Sequence, residues 1–161
     1  MNWEIISNQH SSLQEYRLVD ENECKLSLKY NPRHQSVRVT SGPNHRLFFL
    51  ESTGSLNDKS ILKNEYGLEI GNLISDKPLN KNGSVMMDSR KYYYHISDDN
   101  LLFYKSNPHQ PLITCNIKFA DPLKFANKLT SLDIRCTVLG LCWYVILQVT
   151  NGSMPEIMIL T

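Results

Sequence analysis

A chain of 161 residues is long enough for one domain with a real core. Its 17 Lys and Arg side chains nearly balance 16 Asp and Glu, leaving a net charge of +1, and both signs are mixed along the whole chain. That balance argues against a dedicated nucleic-acid binder, which carries a basic footprint, and does not favour long-range steering to an anionic membrane, although a local patch can still assemble in three dimensions.

Taken in order, the chain reads as short, half-buried strands. Trp3 to Ile6 is a first candidate, His10 to Glu15 reads as a loop or helical turn, and Tyr16 to Val19 is again strand-like. Asp20 to Glu23 is an acidic turn. Cys24 to Tyr30 then alternates strictly, with Cys24, Leu26, Leu28 and Tyr30 on one face and Lys25, Ser27 and Lys29 on the other. That period of two is the signature of a strand with one wet face. Asn31-Pro32-Arg33-His34 breaks it. Ser36 to Thr40 alternates again, Ser41 to Asn44 turns, and Arg46 to Glu51 continues.

After a polar stretch from Ser52 to Lys59, residues Ser60 to Ile74 read as a hairpin with Gly67 at positive φ in its turn. Asp76 to Ser84 is loop-like, and Val85 to Asp88 is a weak strand. Lys91 to Ile96 and Leu101 to Lys105 flank the turn signal Ser97-Asp98-Asp99-Asn100. Leu112 to Phe119 follows the loop Asn107 to Pro111. The next piece, Ala120 to Leu129, is open to either assignment: Asp121-Pro122 suits a helix start, but one more strand fits as well. Glu156 to Leu160 can close the chain as a last strand.

Residues 132–149 differ from everything before them, being apolar without interruption from Val138 to Ile146. A membrane span needs about 20 apolar residues, and Asp133 and Arg135 stand just before this run. Strands usually stop at about eight residues. A helix that is apolar on all sides belongs inside a core. Asp133 is the expected N-cap, and Asn151-Gly152 with Pro155 beyond is the expected stop. A membrane span and a pair of buried strands remain the alternatives.

A meander of short strands exposes two edges unless it closes. Closing about ten strands leaves a lumen wider than the strands' own side chains fill. An apolar helix threaded through it removes both problems. The expected architecture is therefore a mainly β, single-domain fold over residues 1–161: a closed antiparallel barrel of about nine to twelve strands around a buried C-terminal hydrophobic helix.

Leu132-Asp133-Ile134-Arg135, followed by Leu139, Gly140 and Cys142, resembles the superfamily of Tubby C-terminal domains, phospholipid scramblases and LURP-one-related proteins. Phe119, Asp121 and Phe125 fit the scramblase-like lead-in, and Glu65 to Gly71 resembles a turn of LURP-one-like members. The resemblance implies a closed barrel around a hydrophobic helix, and by kinship a lipid ligand. Neither the basic phosphoinositide motif of Tubby domains nor the acidic calcium pattern of scramblases is present, and residues 150–161 run past the point where many members end.

Candidate chemistry is sparse. His10, His34, His45, His95 and His109 lack metal-ligand spacing, and Asp98-Asp99-Asn100 is explained by its turn. No nucleophile elbow, phosphate loop or dinucleotide fingerprint occurs. The expectation is a non-enzymatic protein without metal or cofactor. Cys24, Cys115, Cys136 and Cys142 form no Cys-x-x-Cys pair and are expected to be free thiols of a cytoplasmic protein. No charged region precedes an apolar stretch at the N-terminus, so no secretion signal is expected.

Two surfaces are candidate ligand sites. Lys25, Lys29, Arg33 and Arg38 can line one exposed sheet face. Arg90 and Lys91 stand beside Tyr92-Tyr93-Tyr94, where Tyr92 and Tyr94 share a face. Basic and aromatic groups together suit lipid headgroups, peptides or single-stranded nucleic acid. The expected partner is an anionic phospholipid at a membrane surface, bound peripherally. The alternatives are a structural or protein-interaction module and, more weakly, an enzyme or open-lumen carrier of the lipocalin sort.

Overall fold

The computed structural model describes residues 1–6, 12–53, 58–76, 81–121 and 128–152. Its strands are β1 (Asn2–Ile6), β2 (Gln14–Asp20), β3 (Glu23–Asn31), β4 (Ser36–Ser41), β5 (Asn44–Thr53), β6 (Lys59–Lys63), β7 (Glu69–Ser75), β8 (Asn82–Met87), β9 (Arg90–Ser97), β10 (Asn100–Tyr104) and β11 (Ile113–Phe119). One helix, α1 (Ser131–Thr150), follows them. The expected closing strand at Glu156–Leu160, Pro155, His10, Phe125 and the core of the ambiguous piece after Ala120 lie outside the described residues.

The strands form a closed barrel in simple meander order, β1 joining β2 on one side and β11 on the other. Ten of the seams are hairpin-like and antiparallel; the seam that closes the ring, β1 with β11, is parallel, with Trp3 opposite Ile117 and Ile5 opposite Phe119. Apart from that seam the barrel is antiparallel, in line with the expected closed, mainly antiparallel barrel around a buried helix. Both edges of the meander end on the same seam, and their directions leave the parallel pairing as the one that closes it.

Turn chemistry sets the hairpins. Glu21 and Asn22 both adopt positive φ (48° and 65°), as do Asp88 and Ser89 (51° and 66°), which is the backbone that two-residue hairpins need. The loop expected over Asp76–Ser84 ends earlier than the sequence suggested: Asn82, Gly83 and Ser84 already pair with β9 through His95, Tyr94 and Tyr93.

Alternation along the strands sends one set of side chains inward. Leu26, Leu28 and Tyr30 of β3, Val37 and Val39 of β4, and Tyr92, Tyr94 and Ile96 of β9 are all buried. Cys24 departs from this expectation and is exposed. The register shifts there, Leu18 facing Leu26 but Val19 facing Cys24, so Lys25 is an extra residue and the alternation slips past it.

The lumen is filled by α1, in which every residue from Cys136 to Ile146 is buried. A closed sleeve covers all sides of a helix, which is why this one needs no polar face. Gly140 brings the helix against the wall: a Cβ there would lie 2.9 Å from the Trp3 ring and 3.2 Å from Leu28. The helix starts at an N-cap Thr130, not Asp133. Asp133 is instead the reciprocal partner three residues on. It takes the Thr130 N–H at 2.9 Å while its own N–H donates to the Thr130 hydroxyl at 3.1 Å. The Asp133 carboxylate also accepts from the buried Tyr16 hydroxyl at 2.8 Å, fastening the first turn to β2. Arg135 reaches across the same mouth to the hydroxyls of Ser52 (2.6 Å) and Ser60 (3.1 Å).

Candidate functional site

The β3–β4 hairpin presents the clearest site. Strict alternation places Leu28 and Tyr30 inside, and so turns Lys29 out; the same logic on β4 buries Val37 and Val39 and turns Arg38 out. The register then sets Lys29 directly opposite Arg38. Like charges at opposed positions on neighbouring strands destabilise a sheet. The nearest acid in that row, Glu15 on β2, faces Lys29 across the other seam. Its carboxylate, however, is held by Arg17 at 2.8 Å. Among the described residues neither Lys29 nor Arg38 has an ion-pair partner.

A recess of about 190 Å³ opens between these two cations, with Asn31 and Ser36 supplying polar groups and Leu13 and Leu47 an apolar edge. Arg38 and Leu47 also border a second hollow of about 420 Å³ with Thr40, His45 and Arg46. The face therefore sets two exposed cations beside a recess with an apolar edge.

The remaining sequence candidates separate. Arg33 lies exposed in the β3–β4 turn, at one end of the same hairpin, where its backbone N–H donates to Asn31 Oδ1 at 3.0 Å. Lys25 belongs to the opposite end of the barrel. It is ion-paired with Glu23, which raises its pKa, and it borders a hollow shared with Tyr144, Gln148 and Asn151 at the end of α1. Arg90 is half-buried on the inward-facing row of β9, and its Nη1 is buried without a hydrogen-bond partner among the described residues. Lys91 projects outward, its ammonium 5.3 Å from the Tyr93 ring centroid.

Tyr92 and Tyr94 take inward positions, 1% and 2% exposed, so the face they share is the core. The outward aromatic of that run is Tyr93, stacked on Tyr104 across the β9–β10 seam with centroids 5.8 Å apart. Sequence reasoning gave no role to Leu13, Leu47, Tyr104 or Asp88. Asp88 takes both guanidinium nitrogens of Arg46, at 2.7 and 3.2 Å, across two intervening strands. Nothing local in the sequence signals that pairing, because it depends on barrel closure.

Thiol chemistry is suppressed at neutral pH for the inward cysteines. Burial pushes Cys115 and Cys136 up to about 12, and Cys142 higher still. A thiol held protonated is a poor nucleophile and a poor metal ligand. Among the described residues no group of three or more His, Cys, Asp or Glu is arranged to hold a metal ion. Helix α1 is long and apolar enough to cross a membrane, but 72% of its most apolar window is buried inside the barrel.

No protein-family model, no curated protein and no solved structure matches this chain.

Proposed function

We propose that this barrel is a non-enzymatic binding module of the Tubby-like kind, which takes an anionic phospholipid headgroup on the outer face of β3 and β4 and acts peripherally at a membrane from the cytoplasm. The observation that carries the reading is the opposed Lys29–Arg38 pair, unneutralised among the described residues, beside a recess with an apolar edge. A phosphate between the two cations would convert mutual repulsion into two charge-assisted hydrogen bonds. Arg33 at the hairpin end would add a third positive charge for the surrounding surface. The resemblance of residues 132–142 to the superfamily supports the same reading by kinship alone.

Co-sedimentation with vesicles tests it. The full chain should pellet with vesicles containing anionic phospholipid, less so as salt rises, and more than with purely zwitterionic ones at the same salt. Reversing both charges, Lys29→Glu with Arg38→Glu, should abolish the anionic-lipid increment, with cooperative thermal unfolding retained as the sign that the barrel is intact. Equal pelleting of wild type and double variant removes the proposal.

One observation favours a protein partner as the second reading. Tyr66 and Leu68 stand 81% and 63% exposed at the tip of the β6–β7 hairpin, flanked by Glu65 and Glu69. Acidic flanks disfavour an anionic bilayer and suit a partner protein with basic rim groups.

A further inference from the structure

On the far side of the ring from β3, the sheet carries a second built recess of about 290 Å³. It is lined by Tyr93, Tyr94 and Tyr104, with Asp76, Asn82, Gly83 and Ser84 beside them. Each part has a structural origin. Tyr93 and Tyr104 are opposed across one seam and stack there, and Ser84, the partner of Tyr93 across the other seam, is too small to fill the space beside the ring. Gly83 faces Tyr94, and a Cβ on it would come within 2.6 Å of the Tyr94 hydroxyl and 2.3 Å of the Ile74 carbonyl. Glycine there is what lets the Tyr94 ring lie across the strand and bring its hydroxyl to Ser75 Oγ, 3.0 Å away.

The chemistry of these walls is specific. Aromatic faces attract cations through their quadrupoles. Tyr93 already does so within the chain, with the Lys91 ammonium 5.3 Å from its centroid, and Lys91 is not among the residues lining the recess. Asp76 is exposed and has no ion-pair partner among the described residues. Its charge reaches the recess, because it contributes to raising the pKa of Tyr94 behind the larger effect of burial. Phosphate or carboxylate would be repelled by Asp76. A hard metal ion would find one carboxylate where it needs six or more oxygens. A bulky, weakly hydrated cation suits a recess that combines tyrosine side chains with one carboxylate. The volume lies at the small end of ligand sites.

We propose that this recess, formed by Tyr93, Tyr104, Tyr94 and Asp76, binds a trimethylammonium group of the choline type, free or as a lipid headgroup. The site is separate from the basic face of β3 and β4 and does not depend on it.

The test uses the full chain, choline chloride and tetramethylammonium chloride as probes, and 3,3-dimethylbutanol as the uncharged analogue of choline. Ring resonances of Tyr93 and Tyr104 are followed by NMR. Both cations should shift these signals saturably, and the uncharged analogue should bind about tenfold more weakly or not at all. Tyr93→Leu and Asp76→Asn should each weaken choline binding by about tenfold. Both positions are on the outer surface, and unshifted core methyl signals report that the barrel is intact. If Tyr93→Leu disturbs the sheet, Asp76→Asn alone decides. Lys29→Glu with Arg38→Glu should bind choline as wild type does, which separates this site from the anionic one. Phosphatidylcholine vesicles that compete with free choline identify the source as a headgroup; no competition identifies a soluble ligand. Equal response to the uncharged analogue, unchanged affinity in Asp76→Asn, or tighter binding of a trimethyl-lysine peptide than of choline would each overturn the assignment.

Discussion

Gly67 and Gly71 belong to one hairpin and meet opposite demands. Gly67 turns the chain at φ 77° with open space around it, so Gly67→Ala should cost only the left-handed penalty, about 1 kcal/mol in chemical denaturation. Gly71 has no such backbone, yet a Cβ there would sit 1.8 Å from the Met86 carbonyl oxygen. Relief requires moving the backbone of β8, so Gly71→Ala should lose about 3 kcal/mol or leave no folded protein, read by the same denaturation experiment. Gly67 was legible because a turn announces itself locally between two apolar runs. Gly71 was not, since its constraint comes from a neighbouring strand, with Ile70 left as the extra residue of a bulge against β6. The same distinction separates the site residues. Outward placement of Lys29 and Arg38 follows from alternation alone, but their being opposite each other is a matter of register, which no single strand carries. For Tyr92, Tyr93 and Tyr94 alternation told which two share a face and was silent on whether that face was wet.

At the scale of the element, α1 was the most readable part of the chain, because eleven consecutive buried positions have few homes outside a closed core. Its start was read three residues late. Asp133 has the chemistry of an N-cap, but Thr130 ahead of it completes a reciprocal box that also explains why an acid lies three positions on. Asp133 then carries a second duty toward Tyr16, 117 positions away in the chain. Asp133→Ala should therefore cost about 2 kcal/mol, the loss of the cap plus a buried hydroxyl left unsatisfied. Tyr16→Phe, which removes the hydroxyl itself, should cost about 1 kcal/mol. The double variant should be less destabilised than the sum of the two, because the unsatisfied hydroxyl disappears with its partner; strict additivity in a denaturant cycle would contradict the contact.

Across the whole molecule, the buried thiols and phenols set the alkaline limit. Cys115 and Cys136 have an ordinary thiol value of 9.0 when unfolded and about 12 when folded. Folding thus favours their protonated forms. This contribution is fully present below pH 9, and declines as pH rises from about 9, where the unfolded chain begins to lose protons, toward about 12, where the folded one does. Tyr16, raised by burial, acts in the same direction. Stability should therefore be nearly flat from pH 7 to 8.5 and fall steeply by pH 10.5, with Cys142→Ala and Cys136→Ala flattening the fall; urea midpoints across that range measure it. The closing of the ring was legible only as a need, since an open meander would leave two edges bare. Which strands meet, and that they meet parallel, depends on the geometry of the finished barrel.

That parallel seam has a consequence for how the chain comes off the ribosome. The first strand must wait for the eleventh before either has a neighbour on its outer side, and the filling of the lumen is made later still. For most of its synthesis the nascent sheet has its inner wall unoccupied, while the segment that will occupy it has the length and hydropathy of a bilayer-crossing helix. Once α1 has been made, enclosure by the barrel is what keeps these twenty residues from any other apolar surface they would meet. A chain that stops before Ser131 would keep all eleven strands of the described residues and yet have nothing to wrap, and it should bind hydrophobic dyes and aggregate.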